Sequence, residues 1–99
     1  MLHNYFVYIV TNKNKTTLYV GMTNNIQKRT GQHYFDSTHF KKSFAGKYNC
    51  YFLIYYEAFN TPSEAIRREK QIKKYRREKK DELINAFIPN RNFLNWDVF

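Results

Sequence analysis

From Tyr5 to Val10 the chain reads YFVYIV, a β-branched and aromatic run without helical period, which predicts a strand covered on both faces. Thr11 to Thr16 is polar, and Thr17-Leu18-Tyr19-Val20 then resumes the strand pattern as far as Gly21. The two runs predict a hairpin closed by a short loop, with Tyr8 and Tyr19 on neighbouring strands. Thr23-Asn24-Asn25 supplies capping residues for a helix to about His33, with Ile26, Arg29 and His33 spaced along one side. Gly31 weakens that helix by about 1 kcal/mol relative to alanine. Residues 34–49 show no clear period and read as loop. Cys50 to Phe59 is a third strand, ended by Asn60. Thr61-Pro62-Ser63-Glu64 then places threonine as N-cap, proline at the first helical position and glutamate three residues after the cap, which predicts a helix to about Tyr75 or Arg76. A last amphipathic stretch, Lys79 to Phe87, turns Leu83, Ile84 and Phe87 inward and is stopped by Pro89.

Strand, strand, helix, strand, helix, helix predicts a small three-stranded sheet flanked by helices, α/β or α+β in class, with at least one antiparallel pair. At 99 residues, the expectation is one domain over 1–99. No internal repeat is visible. The longest apolar runs fall far short of the roughly 20 residues of a membrane span and no signal-peptide pattern opens the chain, so a soluble, cytoplasmic protein is expected. A lone cysteine, Cys50, excludes an internal disulfide, and His3, His33 and His39 lack the spacing of a structural zinc site. With 42 % hydrophobic and 19 % aromatic residues, the chain has too much packing material for a disordered basic tail. Seventeen Lys and Arg against eight Asp and Glu leave +9, which makes nucleic acid the first partner to consider.

Nine of the fourteen residues from Arg67 to Lys80 are basic. Such a run is commonly a solvated face. Its concentration on one part of the chain also fits phosphate contacts, with Arg67, Lys70, Lys73, Lys74, Arg76 and Arg77 as the nucleic-acid-binding set. Glu69 shares a helix side with Ala65, Ile66 and Ile72, so a carboxylate interrupts a core-facing stripe. Its bland reading is an ion pair with Lys73, one turn on. Tyr8 and Tyr19 alone could be packing, Arg29 could cover the core edge with its stem, and His33 could cap its helix.

Taken in order, Phe6-Val7-Tyr8, Tyr19-Val20-Gly21, Arg29 and His33, and Glu69 within Ala65-Ile66-Arg67-Arg68-Glu69-Lys70-Gln71-Ile72-Lys73-Lys74 resemble the GIY-YIG nuclease domain over essentially the whole chain. The likeness is greatest to its short stand-alone bacterial branch, in which Lys47-Tyr48-Asn49 and Leu53-Ile54-Tyr55-Tyr56-Glu57 also have counterparts. Phe6 replaces the first glycine of the motif. The resemblance implies a three-stranded antiparallel sheet and a metal-dependent endonuclease acting in DNA repair or recombination. It further implies Glu69 as ligand of one divalent metal (Mg²⁺, or Mn²⁺), Arg29 as the phosphate-contacting cation, Tyr8 and Tyr19 near the attacking water, and His33 assisting. A late asparagine that some relatives place near the metal has only Asn85 as a counterpart.

The residues support that chemistry on their own terms. Phosphodiester hydrolysis needs a water nucleophile, charge stabilisation on the phosphoryl oxygens and help for the leaving oxygen. A hard cation held by one carboxylate and the substrate phosphate is an adequate site for such work. A tyrosine base needs positive charge nearby, which Arg29, Lys73 or the metal could provide; Tyr8 is placed first in that role, with Tyr19 orienting water. The rival readings are a non-catalytic module that binds DNA or RNA through its basic helix, and a scaffold that docks a protein there. Sequence specificity, oligomeric state and the choice between DNA and RNA are left open by the chain.

Overall fold

The computed structural model describes residues 5–26, 28–29, 50 and 52–87. The expectations for His33, Gly31, the 34–49 loop, Pro89 and the tail from Ile88 lie outside the described residues. Three strands, β1 (Tyr5–Thr11), β2 (Leu18–Thr23) and β3 (Phe52–Phe59), precede two helices, α1 (Pro62–Lys73) and α2 (Arg77–Phe87). The sheet order is β2-β1-β3 and both pairings are antiparallel. This is the α+β sandwich that the pattern predicts.

β1 is buried from Val7 to Thr11 because it is the central strand, with a partner on either edge. Val7, Ile9, Val20, Ile54 and Tyr55 meet Ala65, Ile72 and Ile84 of the helices on one face. Tyr8, Val10, Leu53, Cys50 and Ile26 form a second cluster. Ile9 pairs with Tyr55 but Val10 with Leu53, so Ile54 is the extra residue of a bulge, and both Ile54 and Tyr55 join the helix-facing core.

Gly21 does not end β2: it pairs with Tyr8 and the strand runs on to Thr23. β3 starts at Phe52 rather than Cys50, whose buried thiol instead donates to the Thr17 carbonyl at 3.6 Å. The hairpin loop is organised by Asn12, whose Oδ1 accepts from the Thr16 and Thr17 amides at 2.8 and 3.1 Å. Lys15 there takes a left-handed φ of 59°.

α1 opens on the predicted threonine cap. The Glu64 amide donates to Thr61 Oγ1 at 3.3 Å, and the Thr61 hydroxyl donates to Glu64 Oε1 at 2.9 Å. The helix stops at Lys73, short of Tyr75, and α2 begins at Arg77, ahead of Lys79. An Arg77–Asp81 ion pair at 3.1 Å spans that first turn. Two residues expected inside are not. Ile66 is 38 % exposed because it lies 100° round the helix from Ala65, and Phe87, 42 % exposed, meets the sheet through edge contacts with Tyr55 and Tyr56.

Candidate active site

Tyr8 stands on the central strand and is fully buried, its ring lying across the neighbouring strand over Gly21. A β-carbon on Gly21 would sit 2.4 Å from the Tyr8 hydroxyl and 2.6 Å from its Cζ. Gly21 has no positive φ, so glycine is required here for space and not for backbone conformation. Tyr19, two residues before Gly21 on the same strand, brings its ring centroid to 6.5 Å from that of Tyr8 at an interplanar angle of 44°. The hairpin thus delivers both phenols to one place.

Arg29 comes from the segment after β2. Thr23 Oγ1 accepts from the Asn25 amide at 3.1 Å, Asn25 Oδ1 accepts from the Lys28 amide at 3.0 Å, and Ile26, Lys28 and Arg29 take up helical backbone. This cap turns the chain back over the sheet. Arg29 Nε donates to the Tyr8 hydroxyl at 3.2 Å, and the guanidinium also hydrogen-bonds Tyr19. Burial would lower the Arg29 pKa, but the two phenols more than offset it and hold the guanidinium above its ordinary value.

For Tyr8, the positive charge expected to poise a base is present, yet it loses. Burial pushes the phenol up to about 12 in spite of the Arg29 hydrogen bond and charge, and Tyr19 and Glu69 add to the rise. At pH 7 such a group is ionised to the order of 10⁻⁵. Tyr8 in the free protein is therefore a proton-bearing group that holds a partner, not a ready base.

Glu69 reaches the site from α1, which packs on the opposite side of the sheet from the Tyr8 cluster. The Glu69 carboxylate is nevertheless near enough for its charge to act on Tyr8. Its side chain is 21 % exposed and pairs with Lys73 Nζ at 3.7 Å, the ion pair expected of the bland reading. A 3.7 Å pair with a half-exposed lysine is worth a few tenths of a kcal/mol, so it is readily exchanged for another cation. Among the described residues no three His, Cys, Asp or Glu cluster as a metal cage. The donor set thus fits a hard cation carried by one carboxylate, water and substrate oxygens, and does not fit a site built wholly of protein ligands.

Beside Arg29 an open cleft of about 410 Å³ is lined by Tyr5, Met22, Asn24 and Lys28, and among the described residues no carboxylate lines it. Of the basic set, Arg67, Lys70, Lys73, Lys74 and Arg76 are exposed. Arg77 differs: its Nη1 and Nη2 donate to the Thr16 and Lys15 carbonyls, both at 2.8 Å, and its Nε to Asp81, so it holds the hairpin loop to α2. Asn85 is exposed on α2. The sequence analysis does not anticipate the polar knot formed by Tyr55, Glu57, Arg68, Gln71 and Tyr75. Its signal was available in Arg68, three residues after Ala65 and four before Ile72, a cation beside the buried stripe.

The GIY-YIG catalytic domain matches residues 4–82. The chain belongs to the GIY-YIG family. Its relatives include a UPF0213 protein of Haloquadratum walsbyi, 35 % identical over 79 residues and covering 80 % of this chain and 84 % of the relative. A UPF0213 protein of Staphylococcus haemolyticus is 36 % identical over 87 residues, covering 81 % and 93 %. The solution NMR structure of a UPF0213 protein from Bacillus halodurans superposes with a TM-score of 0.51 at 28 % identity over 83 % of each chain, the same sheet-and-helix fold. GIY-YIG membership makes this a nuclease-type domain with nucleic acid as its class of substrate. Among the described residues no helix is long and apolar enough to cross a membrane.

Proposed function

We propose that this GIY-YIG protein is a divalent-metal-dependent endonuclease that hydrolyses phosphodiester bonds in DNA and serves DNA repair or recombination. The observation that carries the reading is the hydrogen bond from Arg29 to the buried Tyr8 hydroxyl, with Tyr19 alongside and the Glu69 charge acting on the same phenol. The two phenols pack against each other, but a guanidinium bonded to one of them and a carboxylate charge acting on it are not needed for that packing. They match the needs of phosphodiester hydrolysis.

In this mechanism the cleft beside Arg29 and the exposed Lys and Arg residues of α1 bring the backbone in, and Arg29 takes a non-bridging phosphate oxygen. Tyr8 keeps its proton and holds Arg29, while the Tyr19 hydroxyl orients the attacking water; as the water oxygen bonds to phosphorus the bond to the leaving oxygen breaks, the water's proton passes to bulk solvent and solvent protonates the leaving oxygen. Glu69 would hold Mg²⁺ or Mn²⁺ after releasing Lys73. Once bound, that ion would supply charge stabilisation at the phosphoryl and leaving oxygens. His33 is assigned an assisting role by family resemblance alone.

The test is a panel of labelled linear and branched DNAs, with an RNA of matched sequence, incubated with Mg²⁺, Mn²⁺ or EDTA beside the Glu69→Gln protein. Metal-dependent cutting that Glu69→Gln abolishes is the expected result. Salt-sensitive binding with no cutting under either metal would instead identify a non-catalytic nucleic-acid module.

A further inference from the structure

We infer that Arg68 and Glu57 are positioning residues for the candidate metal ligand: their ion pair sets the roll of α1 about its axis and so aims Glu69 at the tyrosine pair. The inference rests on the reading of Glu69 given above and adds a part to it.

α1 is weakly anchored by apolar packing. Ala65 and Ile72 are its buried residues, and they lie nearly in line, seven positions and almost two turns apart. Ile66 faces outward. Two contacts along one line resist sliding and tilting but leave the helix free to roll about that line. Arg68 and Glu69 flank this line on opposite sides, 100° from each other. One flank carries the ligand. The other is tied to the sheet.

The tie is well made. Arg68 Nε donates to Glu57 Oε2 on β3 at 2.9 Å, its Nη1 donates to Gln71 Oε1 at 2.8 Å and to the Tyr75 hydroxyl at 3.4 Å, and the Tyr55 hydroxyl donates to the same Glu57 oxygen. Both members of the pair are about three-quarters buried, unlike the other ion pairs of α1 and α2, each of which has a partner more than 40 % exposed. Tyr55, from the bulged part of β3, is nearly fully buried, so the partner end cannot drift. The sheet order puts β3 and β2 on opposite edges of β1, so a hold on β3 at one flank fixes how far the other flank reaches toward Gly21 and Tyr8.

Side-chain tips lie about 5–6 Å from a helix axis, so a 10° roll moves the Glu69 carboxylate by about 1 Å. A displacement of that size at a reacting centre costs on the order of 100-fold in rate. The pair therefore controls activity without touching substrate or metal.

The experiment uses the full chain, ¹⁵N-labelled, as wild type, Arg68→Gln, Glu57→Gln and the double variant, with Arg68→Lys as the milder change should a variant fail to fold. Mn²⁺ is added, and the paramagnetic broadening of the Gly21 amide is divided by that of the Lys70 amide, a ratio that reports where the ion sits rather than how tightly. Cleavage of labelled DNA is measured in parallel. The expected result is a lower ratio in each folded single variant, cleavage down about 100-fold, and a double variant no worse than either single, because both substitutions release one tie. An unchanged ratio overturns the inference, whether or not cleavage falls, as does a wild type whose Gly21 amide never broadens. A wild type that cuts nothing sinks the nuclease reading alone, and the ratio still decides the role of Arg68.

Discussion

Gly21→Ala separates two physical expectations of opposite sign. In a strand with ordinary φ, replacing glycine by alanine reduces the freedom of the unfolded chain and stabilises by about 0.4–1 kcal/mol where there is room. Here there is none. The new β-carbon would lie 2.4 Å from the Tyr8 hydroxyl, 2.6 Å from Cζ and 3.1 Å from a Tyr19 ring carbon, against the 3.4 Å at which ordinary contact begins. The Tyr8 ring must move by about 1 Å, and being wholly buried it can do so only by displacing the core, a cost of about 1–3 kcal/mol. For a domain of this size that lowers the thermal midpoint by roughly 4–8 °C per kcal/mol. The same movement stretches the 3.2 Å bond from Arg29 beyond hydrogen-bonding range, so cleavage should fall by about 100-fold even in the fraction that is folded. Circular dichroism melts read the first effect and labelled-DNA cleavage the second. Adding Tyr8→Phe removes the nearest atom but leaves Cζ, so it should recover part of the stability and none of the activity. A Gly21→Ala protein that melts at or above the parental temperature with full cleavage would show that the ring does not lie fixed across β2.

Other outcomes are expected. Glu69→Gln should abolish cutting while shifting stability by less than about 0.5 kcal/mol, because only a half-exposed pair with Lys73 is lost; a large drop in melting temperature would make Glu69 structural. Thr61→Ala removes the α1 cap and should cost about 1 kcal/mol, read in the same melts, with little effect if the cap is not formed. Tyr8 has a folded pKa raised from 10.0 to about 12, so it contributes stability that is complete below pH 10 and is lost as pH rises toward 12. Tyr8→Phe should flatten that alkaline decline in denaturant titrations, and an unaltered slope would deny the shift. Arg77→Ala should speed hydrogen exchange in the 12–17 loop and leave the salt dependence of DNA binding as it was, whereas a slope reduced by about one would return Arg77 to the phosphate contacts.

Elements whose cause is local could be read from the chain. Thr61-Pro62-Ser63-Glu64 satisfies its own Glu64 amide within four residues, and the β1 run has enough β-branched and aromatic character to specify a central strand wherever its partners come from. Tyr8, Tyr19 and Arg29 were found by their order, and the structure brings them together. What escaped depends on neighbours distant in sequence. Gly21 looks like punctuation until Tyr8 is seen lying over it, and Arg77 looks like one more cation until the Lys15 and Thr16 carbonyls come within its reach. Ile66 and Phe87 were placed inside because helical periodicity marks a side without saying how wide the buried strip is. The raised pKa of Tyr8 is the same kind of omission, since the chain shows a cation nearby but not the burial that outweighs it.

The four candidate groups stand on β1, on β2, on the segment behind it and on α1, so residue 69 must dock before residue 8 has its full set of companions. A chain leaving the ribosome presents the phenols and the guanidinium first and the carboxylate some forty residues after Arg29. On the nuclease reading proposed above, a copy that stops short of α1 lacks the carboxylate and should not cut.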